Sequence, residues 1–254
     1  MIKIAIVTGA TGGIGREFVK QLLQEDIDEV WAIARNVQKL DALSVEFKEG
    51  VKPISIDLTK DCDIEILSNK LRAENPRVQY LINNAGTAKM AKSTDFSNDE
   101  ISRGIDLACK VPAILCNMCI SYMKKGDRIL NISSAASFQP NPYINLYAAF
   151  KVFQRSYSRA LNMELKNTGI TVTAVCPGWV DTDMLKSERN GKKITFPGLV
   201  TADQVVKKAL KDAKKGKDMS VCSLYVKCQH VNVKILPQKL VMKIWLNQIN
   251  KYLE

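Results

Sequence analysis

The sequence lacks the features of several protein classes. It has no apolar run near the roughly 18 residues that cross a bilayer, so no membrane span is expected. It opens with no charged leader and no cleavable apolar segment, so we expect a cytoplasmic protein. No linker rich in proline, serine or glycine, no low-complexity tract and no internal repeat interrupts the chain. These absences favour one domain spanning residues 1–254.

Histidine is nearly absent and cysteine is unpatterned, with one histidine and seven cysteines. An odd number of scattered cysteines in a reducing compartment is expected to remain as free thiols. Cys116 and Cys119 form a CxxC pair, but on a probable helix and without a second pair. We therefore expect no metal site.

Charge is plentiful but unbalanced, with a net charge of +11 that suits nucleic acid, an anionic membrane surface or an acidic small molecule. The densest basic stretch, residues 207–217, has no interleaved aromatic residues on which bases could stack. We interpret it as a solvated helix face. Nucleic acid is thus not an expected partner.

Apolar, β-branched runs recur along the chain with helical stretches between them. Such alternation predicts a doubly wound α/β fold with a mostly parallel sheet. The predicted strands lie at residues 4–7, 30–34, 51–56, 80–82, 129–132, 171–175 and 221–226.

Two segments fall outside this alternation. Residues 183–200 are polar and contain Gly191, Pro197 and Gly198, which is typical of a mobile substrate lid or of a plain surface loop. Residues 238–253 predict an amphipathic C-terminal helix that packs on its own domain, with a dimer contact or peripheral membrane docking as alternatives. Its apolar stripe comprises Val241, Ile244, Trp245, Ile249 and Tyr252.

A glycine-rich turn follows the first predicted strand and opens a helix. Gly9, Gly13 and Gly15, preceded by Thr8, permit a sharp turn and close approach of backbone to a phosphate. The free N–H groups of the helix N-terminus would then face a pyrophosphate. The Gly-Lys-Ser/Thr ending of a Walker-type loop is absent.

This spacing resembles the fingerprint of the short-chain dehydrogenase/reductase family, and the resemblance extends from residue 3 to about residue 184. It implies a Rossmann-type fold and a nicotinamide cofactor. NAD-selective members carry an acid at the position of Ala34, which this sequence lacks. Arg35 follows instead, and because a guanidinium suits a 2′-phosphate, NADP(H) is expected. The other implied cofactor-binding residues are Gly9, Thr11, Gly12, Gly13, Ile14, Asp57, Leu58, Asn84, Ala85, Gly86, Tyr147, Lys151, Pro177, Gly178, Val180 and Thr182.

Tyr147 and Lys151 lie four residues apart in a helical stretch, so their side chains share a face. A neighbouring ammonium is expected to lower the tyrosine pKa toward the range of a general acid or base. By the resemblance, the family's serine precedes the tyrosine by 13 residues, which selects Ser134, with Ser133 as the alternative. Ser137 is interpreted as a turn residue.

The resemblance implies an oxidoreductase that interconverts a ketone and a secondary alcohol. Asp106 stands where the family usually has an asparagine of the proton relay, so we expect it either to accept a hydrogen bond in that place near Lys151 or to lie on a helix surface. The C-terminal segment after Pro237 is more like that of steroid-dehydrogenase-like members. A homodimer is expected. An apolar substrate is suggested by Met184, Leu185, Phe196 and Leu199.

Other functions stay open at this point. A nonenzymatic NADP(H) sensor or scaffold would use the same fold, although both Tyr147 and Lys151 are present. An epimerase or dehydratase on a related fold is a further alternative.

Overall fold

The computed structural model describes residues 1–48, 50–183, 185, 188–189, 192–193 and 196–253, and the side chains of 188–189, 192–193 and 250–253 are not among the described parts. Up to residue 175, strands and helices alternate: β1 (Lys3–Thr8), α1 (Gly13–Leu22), β2 (Glu29–Ala34), α2 (Val37–Phe47), β3 (Val51–Ser55), α3 (Asp61–Glu74), β4 (Arg77–Asn83), α4 (Asn98–Ile105), α5 (Val111–Ile120), β5 (Arg128–Ile132), α6 (Asn145–Glu164) and β6 (Thr171–Val175).

The rest of the chain adds short strands and three helices. These elements are β7 (Val180–Asp181), β8 (Glu188–Arg189), β9 (Lys192–Lys193), β10 (Val200–Thr201), α7 (Ala202–Lys214), β11 (Met219–Ser220), α8 (Leu224–Ile235) and α9 (Gln238–Leu253). Within the described chain, seven strands form a parallel sheet in the order β11-β6-β5-β4-β1-β2-β3. The predicted doubly wound, Rossmann-type fold is confirmed. Its strand order reverses between β1 and β4, where such sheets form a crevice for ligands.

The central strands are apolar on both faces because helices cover both sides of the sheet. In β1, Ile4 and Ile6 enter the core on one side, whereas Ala5 and Val7 enter the core on the other. This is why the sequence shows continuous apolar runs rather than alternation. The rigid sheet holds the strand ends, and therefore the loops of the site, in fixed register.

The last strand of the sheet lies earlier than the sequence pattern predicts. Met219–Ser220 pairs with β6, and Leu224 already begins α8, so the predicted strand at 221–226 is wrong. Val226 is buried on the inner side of that helix. A short apolar run does not distinguish a strand from a buried helical turn, since both bury consecutive apolar side chains.

The C-terminal helix α9 packs on the body of the protein. Val241, Trp245 and Ile249 are buried at four-residue intervals. Trp245 and Ile249 lie against Trp179 and Phe196, and the Trp245 Nε1 donates a hydrogen bond to the Pro142 carbonyl at 2.9 Å. Two other members of the predicted stripe differ: Ile244 is 43% exposed, and the side chain of Tyr252 lies outside the described residues.

Of the segment 183–200, seven residues, including Met184 and Gly191, lie outside the described residues, and the lid stays a prediction. The CxxC cysteines are buried on α5, and burial raises the pKa of the Cys116 thiol to about 12. In the part of the chain that the structure describes, no helix is long and apolar enough to cross a membrane.

Candidate active site

A cavity of about 760 Å³ lies at the carboxyl ends of the central strands. The loops after β4, β5 and β6 contribute Asn84, Ser134 and Pro177 to its wall. Tyr147 and Lys151 enter it from α6. Residues far apart in the chain thus meet at the crevice that the strand order creates.

The glycine turn between β1 and α1 has no room for side chains at two positions. Gly9 has a φ of +63°, in the left-handed region that glycine adopts most readily. A Cβ on Gly15 would lie 2.1 Å from the Gly9 carbonyl oxygen, because α1 starts directly against the turn. Glycine at these positions is therefore required by the fold itself, with or without a ligand.

Thr8 and Asn84 clamp this turn to the end of β4. The Thr8 hydroxyl accepts hydrogen bonds from the backbone N–H groups of Asn84, at 2.9 Å, and Ala85, at 3.0 Å. The Asn84 side-chain amide donates to the carbonyls of Thr8 and Gly9, each at 3.1 Å. Asn84 was predicted as a cofactor contact, but the structure also shows it holding the two loops together. Thr8 takes part in this clamp without having been singled out for it.

The beginning of α1 fits a phosphate group. Its N-cap is Gly12, which has no side chain to bond the first N–H groups, and the first turn contains no acidic residue. A Cβ on Gly12 would enter open space, because no heavy atom beyond its chain neighbours lies within 4 Å. Ile14, two residues further, lines the cavity. Exposed N–H groups at the positive end of a helix are the features that bind a pyrophosphate.

Arg35 and Asp57 lie just beyond the carboxyl ends of β2 and β3. Arg35 is exposed one residue beyond β2, whose Ile33 carbonyl accepts a hydrogen bond from Ala10 of the turn at 3.2 Å. Asp57 forms an ion pair with Arg103 of α4 at 3.1 Å. Burial alone would raise the pKa of Asp57, but hydrogen bonds from Thr59 and Arg103 outweigh it and lower that pKa. Sequence reasoning missed Arg103, because nothing local links α4 to β3.

Ser134 and Tyr147 are neighbours in the cavity wall. Burial raises the pKa of the Tyr147 phenol, and a hydrogen bond with Ser134 partly opposes that shift. The expected lowering of this pKa by Lys151 is therefore not what the structure shows. The lysine Nζ lies 5.5 Å from the centre of the Tyr147 ring, and its own charge is disfavoured by burial.

Ser133, the alternative to Ser134, has a different partner. Its hydroxyl donates to the backbone carbonyl of Lys151 at 2.7 Å, which ties β5 to α6. The Ser134 hydroxyl accepts from the Ala136 N–H at 3.1 Å and stays close to Tyr147. The geometry therefore favours Ser134 as the serine that meets a substrate. Ser137 lies in the turn after β5, as interpreted.

Lys151 is buried and held by two acceptors. Its Nζ donates to the Ile132 carbonyl at 2.5 Å and to the Gln154 Oε1 at 2.8 Å. Burial lowers the pKa of Lys151 to about 8, with small opposing effects from Cys176 and Cys109. Gln154 is itself buried and was missed by sequence reasoning, although a glutamine one turn after the lysine could have signalled it.

Asp106 does not take the place beside Lys151. It begins a π-helical turn, Asp106–Lys110, and its carboxylate forms an ion pair with Lys110 at 3.1 Å. The structure thus corrects the expected contact: Asp106 pairs with Lys110, and Gln154 lies beside Lys151.

The segment after β6 reaches back to the glycine turn. Pro177, Gly178, Val180 and Thr182 all line the cavity. A Cβ on Gly13 would lie 2.7 Å from the Thr182 Cγ2, so Thr182 covers the turn closely. This contact places the segment next to the N-terminus of α1. The resemblance implies that its residues contact the cofactor there.

The far side of the cavity is mostly apolar and comes from the C-terminal third. Trp179 and Phe196 pack with ring centres 4.9 Å apart. Helices α8 and α9 close the wall with Tyr225, Val226, Gln229, Trp245 and Gln248. Leu185 and Phe196 line the cavity, whereas Leu199 is 45% exposed and Met184 lies outside the described residues, and the apolar substrate wall stays a prediction.

Comparison with known proteins identifies the family. The sequence model described as short chain dehydrogenase matches residues 3–193. An uncharacterized oxidoreductase of Staphylococcus epidermidis is 29% identical over 206 residues, covering 80% of this chain and 89% of that protein. One of Staphylococcus aureus is 31% identical over 183 residues, covering 71% and 79%. The chain belongs to the classical short-chain dehydrogenase/reductase family and is an oxidoreductase of that family.

Solved structures show the same fold over most of the chain. A short-chain dehydrogenase from Sphingobium yanoikuyae in complex with NADPH is 27% identical, with a TM-score of 0.79 and 92% of each chain covered. A 4-hydroxyisoleucine dehydrogenase complexed with NADH is also 27% identical, with a TM-score of 0.65 and 72% of this chain and 76% of that chain covered. A bulky-bulky ketone specific alcohol dehydrogenase from Comamonas testosteroni, at 23% identity and a TM-score of 0.73, covers 94% of this chain and 96% of its own. That last likeness concerns the fold alone.

Proposed function

We propose that this oxidoreductase uses NADP(H) to interconvert a ketone and a secondary alcohol, with Tyr147 as the general acid and base. The observation that carries the proposal is the grouping of Ser134, Tyr147 and Lys151 in one cavity. The uncapped start of α1, which suits a pyrophosphate, borders the same cavity through Ile14. Hydroxyl donors and a dinucleotide site therefore share one space.

A bound nicotinamide would supply the hydride for reduction and accept it for oxidation. When the carbonyl carbon gains the hydride, the π electrons of the carbonyl move to its oxygen. The Tyr147 hydroxyl gives that oxygen a proton, and the Ser134 hydroxyl donates a hydrogen bond to it. The Lys151 ammonium, near the Tyr147 ring, stabilises the phenolate until solvent returns the proton.

Arg35 supports the choice of NADP(H) over NAD(H). It is exposed beside the glycine turn, where a guanidinium can form two charge-assisted hydrogen bonds to a 2′-phosphate. The Sphingobium relative was solved with NADPH, whereas the 4-hydroxyisoleucine dehydrogenase was solved with NADH. The family admits both cofactors, so the charge next to the turn decides our proposal.

The lining of the cavity supports an apolar ketone, such as a steroid or a lipid-like carbonyl compound. Trp179, Phe196 and Trp245 supply aromatic walls on the far side of the cavity, where Gln229 and Gln248 add polar groups. A volume of about 760 Å³ lies within the range of sites for drug-sized ligands. Large aromatic walls favour substrates that bury much apolar surface.

The test is NADPH oxidation, followed by absorbance, with a panel of steroid, acyl and small ketones, with NADH in parallel. We expect turnover with NADPH that falls by about 100- to 10,000-fold in Tyr147→Phe, the usual contribution of general acid catalysis. NADPH binding by the variant should persist. Tight NADPH binding without turnover on any ketone would instead indicate a nonenzymatic sensor, and absence of NADPH binding would refute the cofactor assignment.

A further inference from the structure

Helix α8 exposes a stripe of large apolar side chains. Leu224, Val231 and Ile235 are spaced by seven and four residues and so lie on one face of the helix. Their exposed fractions are 74%, 54% and 75%. Removing such side chains from water is favourable. The stripe therefore presents apolar surface that a partner could cover.

Helix α9 and the residues just before it also expose large apolar side chains. Leu236 precedes that helix, and Leu240 and Ile244 lie one turn apart on it, each more than a third exposed. They lie on a different side of α9 from Trp245 and Ile249, which are buried. Helix α9 is thus apolar both toward the protein and toward solvent. We call the exposed residues of the two helices, Leu224, Val231, Ile235, Leu236, Leu240 and Ile244, the outer apolar face.

The charged side chains that α8 and α9 themselves carry all have one sign. Lys227 and Lys234 flank the stripe on α8, and Lys239 and Lys243 are exposed on α9. The chain has 26 acidic residues, yet none lies between residues 219 and 253. Apolar side chains flanked by lysines are the composition of helices that lie in the interface of a bilayer. Each lysine near an anionic lipid surface strengthens binding to it.

We propose that the outer apolar face docks on the surface of an anionic lipid bilayer. The apolar side chains enter the headgroup region and the lysines meet lipid phosphates. A second copy of the chain is disfavoured as the occupant, because a two-fold contact would bring two acid-free, lysine-bearing surfaces together. Nucleic acid would pair with the lysines but would leave the aliphatic stripe exposed to water.

The same two helices form part of the cavity wall through Tyr225, Gln229, Trp245 and Gln248. Docking on a bilayer would therefore bring that wall close to the lipid phase, from which an apolar ketone partitions. Membrane docking does not depend on the proposed reaction, because its test measures vesicle binding rather than turnover.

The experiment is co-sedimentation of the full chain with vesicles of phosphatidylcholine alone and of phosphatidylcholine mixed with phosphatidylglycerol. We expect binding to the mixed vesicles that weakens at high salt. Ile235→Glu should reduce binding by about tenfold or more, since it replaces an apolar side chain that would enter the bilayer by a charge that anionic lipid repels. Val45→Glu is the matched control, because Val45 is 78% exposed on α2, outside the outer apolar face.

A second pair of variants tests the charges. Lys227→Gln combined with Lys234→Gln should weaken binding by about tenfold or more, whereas Lys207→Gln combined with Lys211→Gln, on α7, should weaken it less. Thermal unfolding followed by circular dichroism reports that each variant is folded. Equal binding by Ile235→Glu and Val45→Glu, or no binding by the unaltered protein, would overturn the proposal. So would a loss of dimers in gel filtration by Ile235→Glu with vesicle binding unchanged, which would assign the face to a second copy.

Discussion

Lys151 and Gln154 form a buried pair one turn apart on α6, with the lysine Nζ donating to the glutamine Oε1 at 2.8 Å. The same Nζ donates to the Ile132 carbonyl at the end of β5. Because the pocket contains acceptors rather than a carboxylate, it holds the lysine in place without compensating its charge. This explains why burial lowers the pKa of Lys151 to about 8.

Substitution of Gln154 should move the pH profile of the reaction. If turnover needs the Lys151 ammonium, kcat/KM falls as pH rises through the pKa of that lysine. Gln154→Leu removes an acceptor and should move the fall to lower pH, whereas Gln154→Glu adds a negative charge and should move it to higher pH, each by about one unit. The measurement is kcat/KM between neutral and alkaline pH. Unchanged profiles in both variants would show that Gln154 only fills space.

The stability of the protein should also depend on Lys151. In the unfolded chain its pKa has the ordinary value of 10.5, and in the folded protein it is about 8. Between these values the unfolded chain binds a proton that the folded protein does not, so the free energy of unfolding rises with pH, by about 3 kcal/mol in total. Below about pH 8 both states are protonated and the destabilisation is fully present.

Urea unfolding of the protein and of Lys151→Met at several pH values checks this. The variant should lack the rise, while Lys207→Met, at an exposed position, should keep it. Burial also raises the pKa of several cysteine thiols and tyrosine phenols, so these groups add a pH dependence of their own, but they are present in all three proteins and cancel in the comparison. Parallel curves for the protein and Lys151→Met would contradict the assigned pKa.

Substitution of Ser133 and of Ser134 should have different effects. Ser134→Ala should lower kcat by about 100-fold or more, with little change in stability, because the hydroxyl would meet the substrate oxygen. Ser133→Ala should destabilise the protein by about 1–3 kcal/mol, because it removes a buried donor to the Lys151 carbonyl. Steady-state kinetics and thermal unfolding of both variants separate the roles. The reverse pattern would make Ser133 the substrate-facing serine.

Arg35 should set the preference for NADPH. Arg35→Ala should raise the KM for NADPH by about 10- to 100-fold, the value of hydrogen bonds to a charged group, and leave the KM for NADH nearly unchanged. Lys39→Ala, on the exposed surface of the neighbouring α2, is the matched control. If Arg35→Ala raised the KM values for NADPH and NADH equally, the guanidinium would not be binding the 2′-phosphate.

Two glycines of the turn should separate folding from cofactor binding. Gly12→Ala should unfold normally, because its Cβ would enter open space, but should bind NADPH at least about tenfold more weakly if the pyrophosphate occupies that space. Gly15→Ala should destabilise the fold by several kcal/mol, since its Cβ would clash with the Gly9 carbonyl. Thermal unfolding and NADPH fluorescence titration measure both effects. Normal NADPH affinity in Gly12→Ala would place the phosphates elsewhere.

Much of the fold could be predicted from local pattern. The strand and helix alternation, the glycine turn and the Tyr147–Lys151 spacing each depend on residues close in the chain. The strand at 221–226 failed, because a run of a few apolar residues is compatible with either a strand or a helical turn. In the structure Val226 belongs to α8 and packs near Gly178, a contact between residues nearly fifty positions apart that local pattern does not indicate.

The sequence by itself determined the fold class and the positions of the glycine turn and of Tyr147 with Lys151, because these follow from short-range periodicity and spacing, and the family followed from the resemblance of its motifs. Only the tertiary structure decided which side chains meet. It paired Ser133 with the backbone of α6, Asp106 with Lys110 and Gln154 with Lys151. It also placed Trp245 of α9 in the cavity wall. Such contacts depend on how distant elements pack around the sheet, and neither periodicity nor spacing along the chain encodes that arrangement.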